Sequence, residues 1–201
     1  MRSTRFIPAL GALLLVFTTS PGGAATPTEA TKFVQELADS VLAIFNEPRL
    51  SHAEKEKRMY PIAVKAFDVP RTARFVLGRF WKDAPAQQRD EFTKAFEHYM
   101  VHLYTSQFDL YHDVEFQVTF ARPRDETKTL VRTKIVRHDG GPPITVDWWV
   151  TKTDDKDRII DVNVEGVSQL VALREQFMAV IDQHEGSVPA LIEHLREKTA
   201  D

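Results

Sequence analysis

Two histidines stand four residues apart in a segment with helical periodicity, and this spacing could bring two imidazoles to one metal ion. His98 and His102 are not separated by a glutamate, so the HExxH zinc motif and its general base are absent. Neither Glu97 nor His112 lies on a face that makes it a convincing third ligand. We therefore interpret the pair as hydrogen-bonded or solvent-facing histidines and expect no metal.

Three carboxylates and one serine are the remaining candidates for catalysis. Asp147, Asp161 and Glu165 lie in or directly after segments with strand periodicity, where a buried pair could act as acid and base. Strand alternation places Asp147 and Asp161 on the outward side, which favours exposed carboxylates. Ser168 follows Gly166 without a second glycine behind it, so the GxSxG elbow is absent and a helix cap is the better interpretation. No GxGxxG or P-loop motif occurs, and no constellation requires an enzyme.

The composition excludes several further classes. The 201 residues contain no cysteine, which rules out thiol nucleophiles, disulfides and Cys-ligated metal sites. The 26 Lys and Arg residues against 29 Asp and Glu residues leave a formal net charge of -3, which argues against nucleic acid as a partner. A hydrophobic fraction of 43% in a chain of this length is enough for one domain with a sizeable core.

Residues 1–25 have the pattern of a cleaved Sec signal peptide. A basic start is followed by the apolar run 6–17 and by small residues at 23–25, which predicts cleavage before Thr26. An uncleaved anchor is the alternative, and a lipoprotein would need a cysteine. We expect a single soluble domain over residues 26–201, located in a bacterial periplasm.

The first part of that domain, residues 28–111, is predicted to be helical. An apolar stripe runs through 28–46, and Ser51 with Glu54 forms a capping box for a second helix that is expected to bend or stop near Pro61.

Two further helix starts follow in the same part of the chain. Asp68 is predicted to cap a short helix over 71–77, and Asp83 to cap a long helix that reaches about Tyr111. At ~1.5 Å per residue, the long helix would measure roughly 40 Å. Its apolar face carries Phe92, Phe96, Tyr99, Met100, Leu103 and Phe108.

Residues 114–165 change to period two in four short segments joined by turn-forming residues. The alternating positions lie within 116–120, 131–135, 144–150 and 160–164. This pattern predicts a four-stranded antiparallel meander with one apolar face, after which Gly166 ends the last strand and helices resume over 167–199. The fold class is therefore α+β, with all helices on one face of the sheet. The space between the layers would be conical, and periodicity does not show whether it is filled or hollow.

Several motifs resemble the MlaC family of periplasmic phospholipid-binding proteins, also labelled toluene-tolerance auxiliary components. Residues 67–81 read FDVPRTARFVLGRFW, residues 84–89 read APAQQR, residues 141–143 read GPP, and residues 161–168 read DVNVEGVS. The resemblance covers nearly all of residues 30–198 in order, and the motif sequences are closest to those of the hopanoid-associated HpnM branch. One departure is Ala84, where the family often has a helix-capping threonine, so the cap would fall to Asp83.

The resemblance implies a cone like those of cystatin and nuclear transport factor two, with an added helical subdomain. It also implies a pocket that takes acyl chains while the headgroup stays outside, with lipid as cargo and no other cofactor. The implied partners are an inner-membrane ABC transporter with an MCE-domain subunit and an outer-membrane lipoprotein or porin complex. A hopanoid or another polycyclic lipid is the alternative cargo. A small isomerase or dehydratase is a third possibility, although Thr133 is the only polar residue on the inward sheet face.

Strand parity and helical face, read with this resemblance, predict which side chains line the pocket. The helical set is Phe75, Leu77, Phe80, Phe96, Met100 and Leu103, and the sheet set is Val118, Ile135, Val146, Trp148, Val162 and Val164. Arg71, Arg74 and Arg79 could contact a phosphate or a partner, and a solvated helix face is an equal interpretation of them.

Overall fold

The computed structural model describes residues 24–106 and 113–200 as a set of helices packed against an antiparallel sheet. The helices are α1 (Pro27–Phe45), α2 (His52–Ala66), α3 (Val69–Leu77), α4 (Phe80–Asp83), α5 (Ala86–Thr105), α6 (Gln169–Gln183) and α7 (Val188–Glu197). The strands are β1 (Val114–Pro123), β2 (Thr129–Arg137), β3 (Ile144–Thr153), β4 (Lys156–Val164) and β5 (Val167–Ser168). The predicted α+β class is confirmed, whereas the cone remains a prediction.

The sheet is a meander in the order β1-β2-β3-β4-β5, with every neighbouring pair antiparallel. It has five strands rather than the predicted four. Glu165 and Gly166 both have positive φ, 49° and 81°, as tight hairpin turns of the primed types require. Gly166 therefore reverses the chain instead of ending the sheet, and two more residues pair with β4 before α6 begins.

Two register shifts change which side chains face the helices. In β1 the pairing shifts between Val118 and Phe120, so Phe120 turns to the outer face, where it is 38% exposed. The guanidinium of Arg132 lies 5.1 Å from the Phe120 ring centroid. A second shift between β3 and β4 makes Ile159 rather than Ile160 the fully buried residue. Simple alternation misplaced both side chains because a bulge inserts one residue into the period of two.

Most of the predicted helix starts are confirmed at the level of hydrogen bonds. The hydroxyl of Ser51 accepts the backbone N–H of Glu54, whose carboxylate accepts the backbone N–H of Ser51 at 2.8 Å. Asp68 caps α3 by accepting the backbone N–H of Arg71 at 3.2 Å. Of the two expectations for Pro61, that α2 stops there was wrong, since the helix continues to Ala66 with Pro61 inside it, and a bend at Pro61 stays a prediction. A proline inside a helix removes one hydrogen bond, and packing of α2 against its neighbours tolerates that loss.

The long helix differs from its prediction at both ends. α5 begins after Pro85 without a side-chain cap, so Asp83 does not cap it. The helix ends at Thr105 with Ser106 as its C-cap, which makes it about 30 Å long. The predicted continuation to Tyr111 falls largely on residues 107–112, which lie outside the described part of the chain.

The largest cluster of buried side chains, called the main core below, lies between α3, α5, α6 and α7. Phe92, Phe96 and Phe177 form its centre, with ring centroids 5.9 to 6.3 Å apart. Its buried members are Val69, Ala73, Val76, Leu77, Phe92, Ala95, Phe96, Met100, Leu173, Phe177, Ile181, Val188, Leu191, Ile192 and Leu195. Smaller clusters join α1 and α2 to the sheet and to α5.

The N-terminal end of the described chain packs against the sheet. The N–H of Ala24 donates to the carbonyl of Glu126 at 2.8 Å, and Ala25 is buried beside Val131 and Val150. Residues 1–23 of the predicted signal peptide lie outside the described residues, and cleavage before Thr26 stays a prediction. Among the described helices, none has the length and hydropathy needed to cross a membrane.

Candidate functional site

A cavity of about 310 Å³ lies between the sheet, α1, α2 and the last turn of α5. Its size is near the lower end of the roughly 300–1,000 Å³ range of ligand pockets. The helical wall consists of Leu37, Ala38, Val41, Leu42, Phe45, Met59, Ile62, Ala63, Val101, Leu103 and Tyr104. The remaining lining residues are Phe67, Val114, Phe116, Ile135, Val146, Trp148, Val162, Val164 and Gln169. Nearly all of these side chains are aliphatic or aromatic, so the cavity suits an apolar ligand.

Helix α1 uses one half of its apolar face to pack on the sheet and the other half to cover the cavity. Ala30 and Val34 are almost fully buried in the cluster that joins α1 to β2 and β3. Leu37 and Val41 continue the same face at steps of three and four residues, and both line the cavity. The N-terminal half of α1 thus packs directly on the sheet, whereas its C-terminal half forms a cavity wall.

On the sheet side, the polar atoms of Trp148 and Thr133 form a hydrogen bond with each other, and the wall that faces the cavity is apolar. The indole N–H of Trp148 donates to the hydroxyl of Thr133 at 3.0 Å, and that hydroxyl donates to the carbonyl of Val146 at 3.2 Å. Thr133 is fully buried. Because a buried donor without a partner is unfavourable, this arrangement allows Trp148 to present its ring to the cavity without an unmet polar group.

Tyr104 and Gln169 bring polar side chains to the lining. Burial raises the pKa of Tyr104, and the negative charge of Asp161 raises it further, so the phenol stays protonated at neutral pH. The Asp161 carboxylate accepts the hydroxyl of Ser168 at 2.6 Å and the backbone N–H of Leu170 at 3.2 Å. These bonds hold the first turn of α6, and with it Gln169, at the edge of the cavity.

The structure brings half of the predicted pocket residues together at this cavity. The members that line it are Leu103, Ile135, Val146, Trp148, Val162 and Val164. Five of these six come from the sheet, where each residue has only two possible directions and parity selects one of them.

The other six predicted residues lie elsewhere, which corrects the expectation that they share this cavity. Leu77, Phe96 and Met100 belong to the main core, and Phe80 packs against it. Phe75 is 38% exposed, with the guanidinium of Arg174 5.1 Å from its ring centroid. Val118 packs against the cluster under α1. Helical periodicity identifies an apolar face but not the neighbour that covers it, and α3 and α5 turn these residues towards α6 and α7.

The largest omission of the sequence prediction is the wall formed by α1 and α2. In α1 the signal was the apolar stripe itself, whose members Leu37 and Val41 line the cavity. In α2 the signal is weaker, since Met59, Ile62 and Ala63 are few among charged residues. Their role depends on how α2 lies across the sheet, and periodicity does not contain that information.

The other candidate residues for chemistry have structural partners. The ring of His98 lies against Tyr60, and Nδ1 of His102 is 3.3 Å from a carboxylate oxygen of Glu56. Within the described ranges, no three His, Asp or Glu side chains are grouped so that they could hold a metal ion. Ser168 caps α6 by accepting the backbone N–H of Val171, as predicted.

Asp147 and Asp161 were predicted to be exposed, but both are partly buried and hydrogen-bonded. Asp147 forms a two-pronged ion pair with Arg132, at 2.6 and 2.7 Å, on the sheet face opposite the cavity. Arg71 and Arg74 are exposed on α3, and Arg79 pairs with Asp182 at 2.8 Å.

Comparison with known proteins places this architecture in a family. The profile of the MlaC protein family matches residues 35–197, which contain every residue that lines the cavity. The chain belongs to the MlaC family. A solved structure of a phospholipid-binding protein from Ralstonia solanacearum, in complex with a phospholipid, superposes with a TM-score of 0.72 at 23% sequence identity. The match covers 85% of this chain and 97% of that one, so the two proteins share the fold over the whole domain. The closer resemblance to the HpnM branch stays a prediction.

Proposed function

We propose that this MlaC-family protein is a periplasmic carrier that holds the acyl chains of a phospholipid in the cavity between α1, α2 and the sheet. The observation that carries the proposal is the lining itself, which is aliphatic or aromatic at nearly every position. The family membership and the shared fold with a phospholipid-binding protein support it. The same family membership and shared fold favour a binding or transport protein over an enzyme.

The energetics of such a complex are favourable. Each methylene removed from water contributes about 0.8 kcal/mol, so roughly ten methylenes would contribute about 8 kcal/mol before the ordering of the lipid is subtracted. That gross value corresponds to a dissociation constant of about 1 μM. The headgroup therefore does not need a dedicated site and can remain in solvent, as the family resemblance implies.

The route of transport is the second part of the proposal. The predicted signal peptide directs the chain to the periplasm, where a carrier would exchange lipid between two membranes. Its partners would be an inner-membrane ABC transporter with an MCE-domain subunit and an outer-membrane lipoprotein or porin complex. Release requires α1 and α2 to move away from the sheet when the carrier docks on such a partner.

The cargo is tested by purifying the protein from the periplasm, with its own leader and without detergent, and analysing extracted lipid by mass spectrometry. We expect phospholipid in stoichiometric amount. A polycyclic terpenoid would keep the carrier and replace its cargo by a hopanoid-like lipid. A protein that carries no lipid and takes up none from vesicles would contradict the proposal.

The position of the cargo is tested by filling the cavity. Val164 lies on its wall and is only partly buried, so Val164→Trp adds bulk without crowding the main core. The matched control is Val171→Trp, which places the same side chain at a position 43% exposed on α6. We expect the first variant to lose most of its lipid and the second to retain it, with both still folded. Equal occupancy in the two variants would show that lipid binds elsewhere.

A further inference from the structure

Three of the four large apolar side chains that are exposed in the described part of the chain lie on α3 or at the start of α6. Phe75 is 38% exposed on α3, Val171 is 43% exposed on α6, and Val167 is 58% exposed just before α6. Phe75 and Val171 line one surface groove between the two helices, together with Met178. Single exposed apolar residues are ordinary, whereas apolar side chains that share one exposed surface mark a site of interaction.

Three arginines without an acidic partner accompany Phe75. Arg71 and Arg74 precede it on α3 by four residues and by one, and both are exposed. The guanidinium of Arg174 on α6 lies 5.1 Å from the centroid of the Phe75 ring. None of the three forms an ion pair with any residue that the structure describes. Their charges are therefore available to a partner outside the chain.

The acidic side chains that line the groove leave this surface positively charged. They are Glu175 and Asp182, and Asp182 is already paired with Arg79 at 2.8 Å. Three unpaired arginines thus stand against one unpaired carboxylate. Because salt screens charges beyond about 10 Å, a partner bound here would respond to this local excess more than to the net charge of -3 of the whole chain.

A bilayer that contains anionic phospholipid offers both kinds of contact that this surface needs. Its phosphates attract guanidinium groups, which can bind them through two parallel hydrogen bonds. Its boundary between headgroups and acyl chains accepts exposed aromatic and aliphatic side chains. The position of the groove fits such a partner, because Gln169 lines the cavity only two residues before Val171 on α6. The groove and the cavity are therefore neighbours at the first turn of that helix.

We propose that a docking patch on α3 and α6 binds the surface of an anionic phospholipid bilayer. The docking patch consists of Arg71, Arg74, Phe75, Val171 and Arg174. This inference goes beyond the proposed carrier function, because a bilayer can bind the patch whether or not the cavity holds lipid. A bilayer bound there lies beside the first turn of α6, where the cavity also ends. The patch thus brings the cavity to a membrane before lipid is taken up or released.

The test measures how much purified protein sediments with vesicles of two compositions. One contains equal parts of phosphatidylglycerol and phosphatidylcholine, and the other contains phosphatidylcholine alone. Phe75→Ser removes the exposed ring of the docking patch. The double variant Arg71→Gln/Arg74→Gln removes two of its charges. Far-UV circular dichroism checks that each variant is folded.

Strand β1 provides a matched control for both changes. Phe120 is also 38% exposed, and the guanidinium of Arg132 also lies 5.1 Å from its ring centroid. Arg122 and Arg124 are two exposed arginines beside it in sequence. Phe120→Ser and Arg122→Gln/Arg124→Gln therefore make the same chemical changes, with the same effect on net charge, outside the docking patch.

Wild-type protein is expected to bind the anionic vesicles and not the neutral ones, with binding that weakens as salt is added. Arg71→Gln/Arg74→Gln should bind about 25-fold less tightly, at about fivefold for each arginine, and Phe75→Ser about tenfold less tightly. The two control variants should stay within about twofold of wild type. Val171→Trp enlarges the apolar part of the patch and should bind at least as tightly as wild type.

Three results would overturn this inference. The first is equal binding by wild type, Phe75→Ser and the double arginine variant of the patch, which would place the vesicle site elsewhere. The second is loss of vesicle binding in Val164→Trp, whose filled cavity leaves the patch intact, because binding would then depend on lipid uptake. The third is a folded wild-type protein that binds neither vesicle, which would assign the patch to an acidic protein partner. None of these results removes the carrier function, which the analysis of extracted lipid tests separately.

Discussion

At the scale of single residues, the pairing of Trp148 with Thr133 explains how a tryptophan can form part of an apolar wall. Tryptophan has one polar atom, and in this protein it is directed into the sheet rather than into the cavity. The hydroxyl that accepts it also donates to a strand carbonyl. Thr133, a polar residue on the inward sheet face, therefore supports the apolar wall through this pair of hydrogen bonds.

Replacing this hydroxyl should destabilise the protein. Thr133→Val keeps the shape of the side chain but leaves the indole N–H of Trp148 without a partner, so we expect the free energy of unfolding to fall by about 1–3 kcal/mol. Urea denaturation followed by tryptophan fluorescence measures the change. Thr145→Val, on the outer side of the neighbouring strand β3, is the control and should change the stability by less than about 0.5 kcal/mol. Equal effects would refute a specific role for the Trp148 hydrogen bond.

For single residues, the sequence predicted the sheet side of the site but not its helical side. Thr133, Val146 and Val162 were assigned to the inward face by alternation, and the register agrees. Leu77 and Phe96 were assigned to the pocket because their faces are apolar, but another helix covers those faces. A strand side chain has two possible directions, whereas a helix face can meet any of several neighbours, so the sheet wall was predictable and the helical wall was not.

At the scale of elements, Asp68 ties the start of α3 to the sheet. One carboxylate oxygen accepts the N–H of Arg71, and the other accepts the hydroxyl of Thr153 at 2.9 Å. Its own N–H donates to the carbonyl of Ile159 at 2.9 Å. Sequence predicted the cap but not the bonds to β3 and β4, because those depend on how the layers meet.

Asp68→Ala is expected to lower the free energy of unfolding by about 1–3 kcal/mol, since a helix cap is lost and the part-buried hydrogen bond from Thr153 is broken. The chain offers a matched control in Asp83→Ala. Asp83 precedes α5 in a similar sequence context, yet it is exposed and caps nothing, so its removal should change the stability by less than about 0.5 kcal/mol. Thermal unfolding of both variants measures the two changes in stability. A larger loss of stability in Asp83→Ala than in Asp68→Ala would contradict this account.

The interface between α2 and α5 should make the stability sensitive to alkaline pH. Burial raises the pKa of Tyr60 to about 12, with further contributions from its hydrogen bond to Glu97 and from the negative charge of that carboxylate. In the unfolded chain a tyrosine titrates near pH 10. In the folded state Tyr60 thus keeps its phenol proton to a higher pH than in the unfolded state. The stabilisation that this difference gives below pH 10 is lost as pH rises towards 12.

We expect the urea midpoint of the wild-type protein to fall steeply between about pH 10 and pH 12, and to fall less steeply in Tyr60→Phe. Glu97→Gln, which keeps an acceptor but removes the charge, should give an intermediate slope. Some slope should remain in every variant because burial also raises the pKa values of Tyr99 and Tyr104. An unchanged slope in Tyr60→Phe would exclude Tyr60 as a source of the pH dependence.

At the scale of the whole molecule, the apolar interior is divided between the main core and the cavity with its surrounding clusters. A protein whose interior includes a site for lipid should be more stable when that site is filled, because a ligand that binds only the folded state contributes RT ln(1 + [L]/Kd). At a lipid concentration one hundred times the Kd, this contribution is about 2.7 kcal/mol.

Delipidated protein should therefore unfold at a lower temperature than lipid-loaded protein, and added phosphatidylglycerol should restore the higher Tm in proportion to the logarithm of its concentration. Differential scanning calorimetry measures both. The Val164→Trp variant should show a much smaller response, since its cavity is filled by the new side chain. An identical lipid response in wild type and Val164→Trp would place the stabilising lipid outside the cavity.

The division between main core and cavity also affects how such a protein can evolve. In the described ranges, the fully buried side chains of the main core and the side chains that line the cavity are separate sets. A lineage can therefore exchange Leu37, Val41 or Ile62 for larger or smaller side chains while Phe92, Phe96 and Phe177 keep the fold stable. Selection for a new cargo then acts on one set of positions and selection for folding on the other, which lets a carrier diversify without first losing its structure.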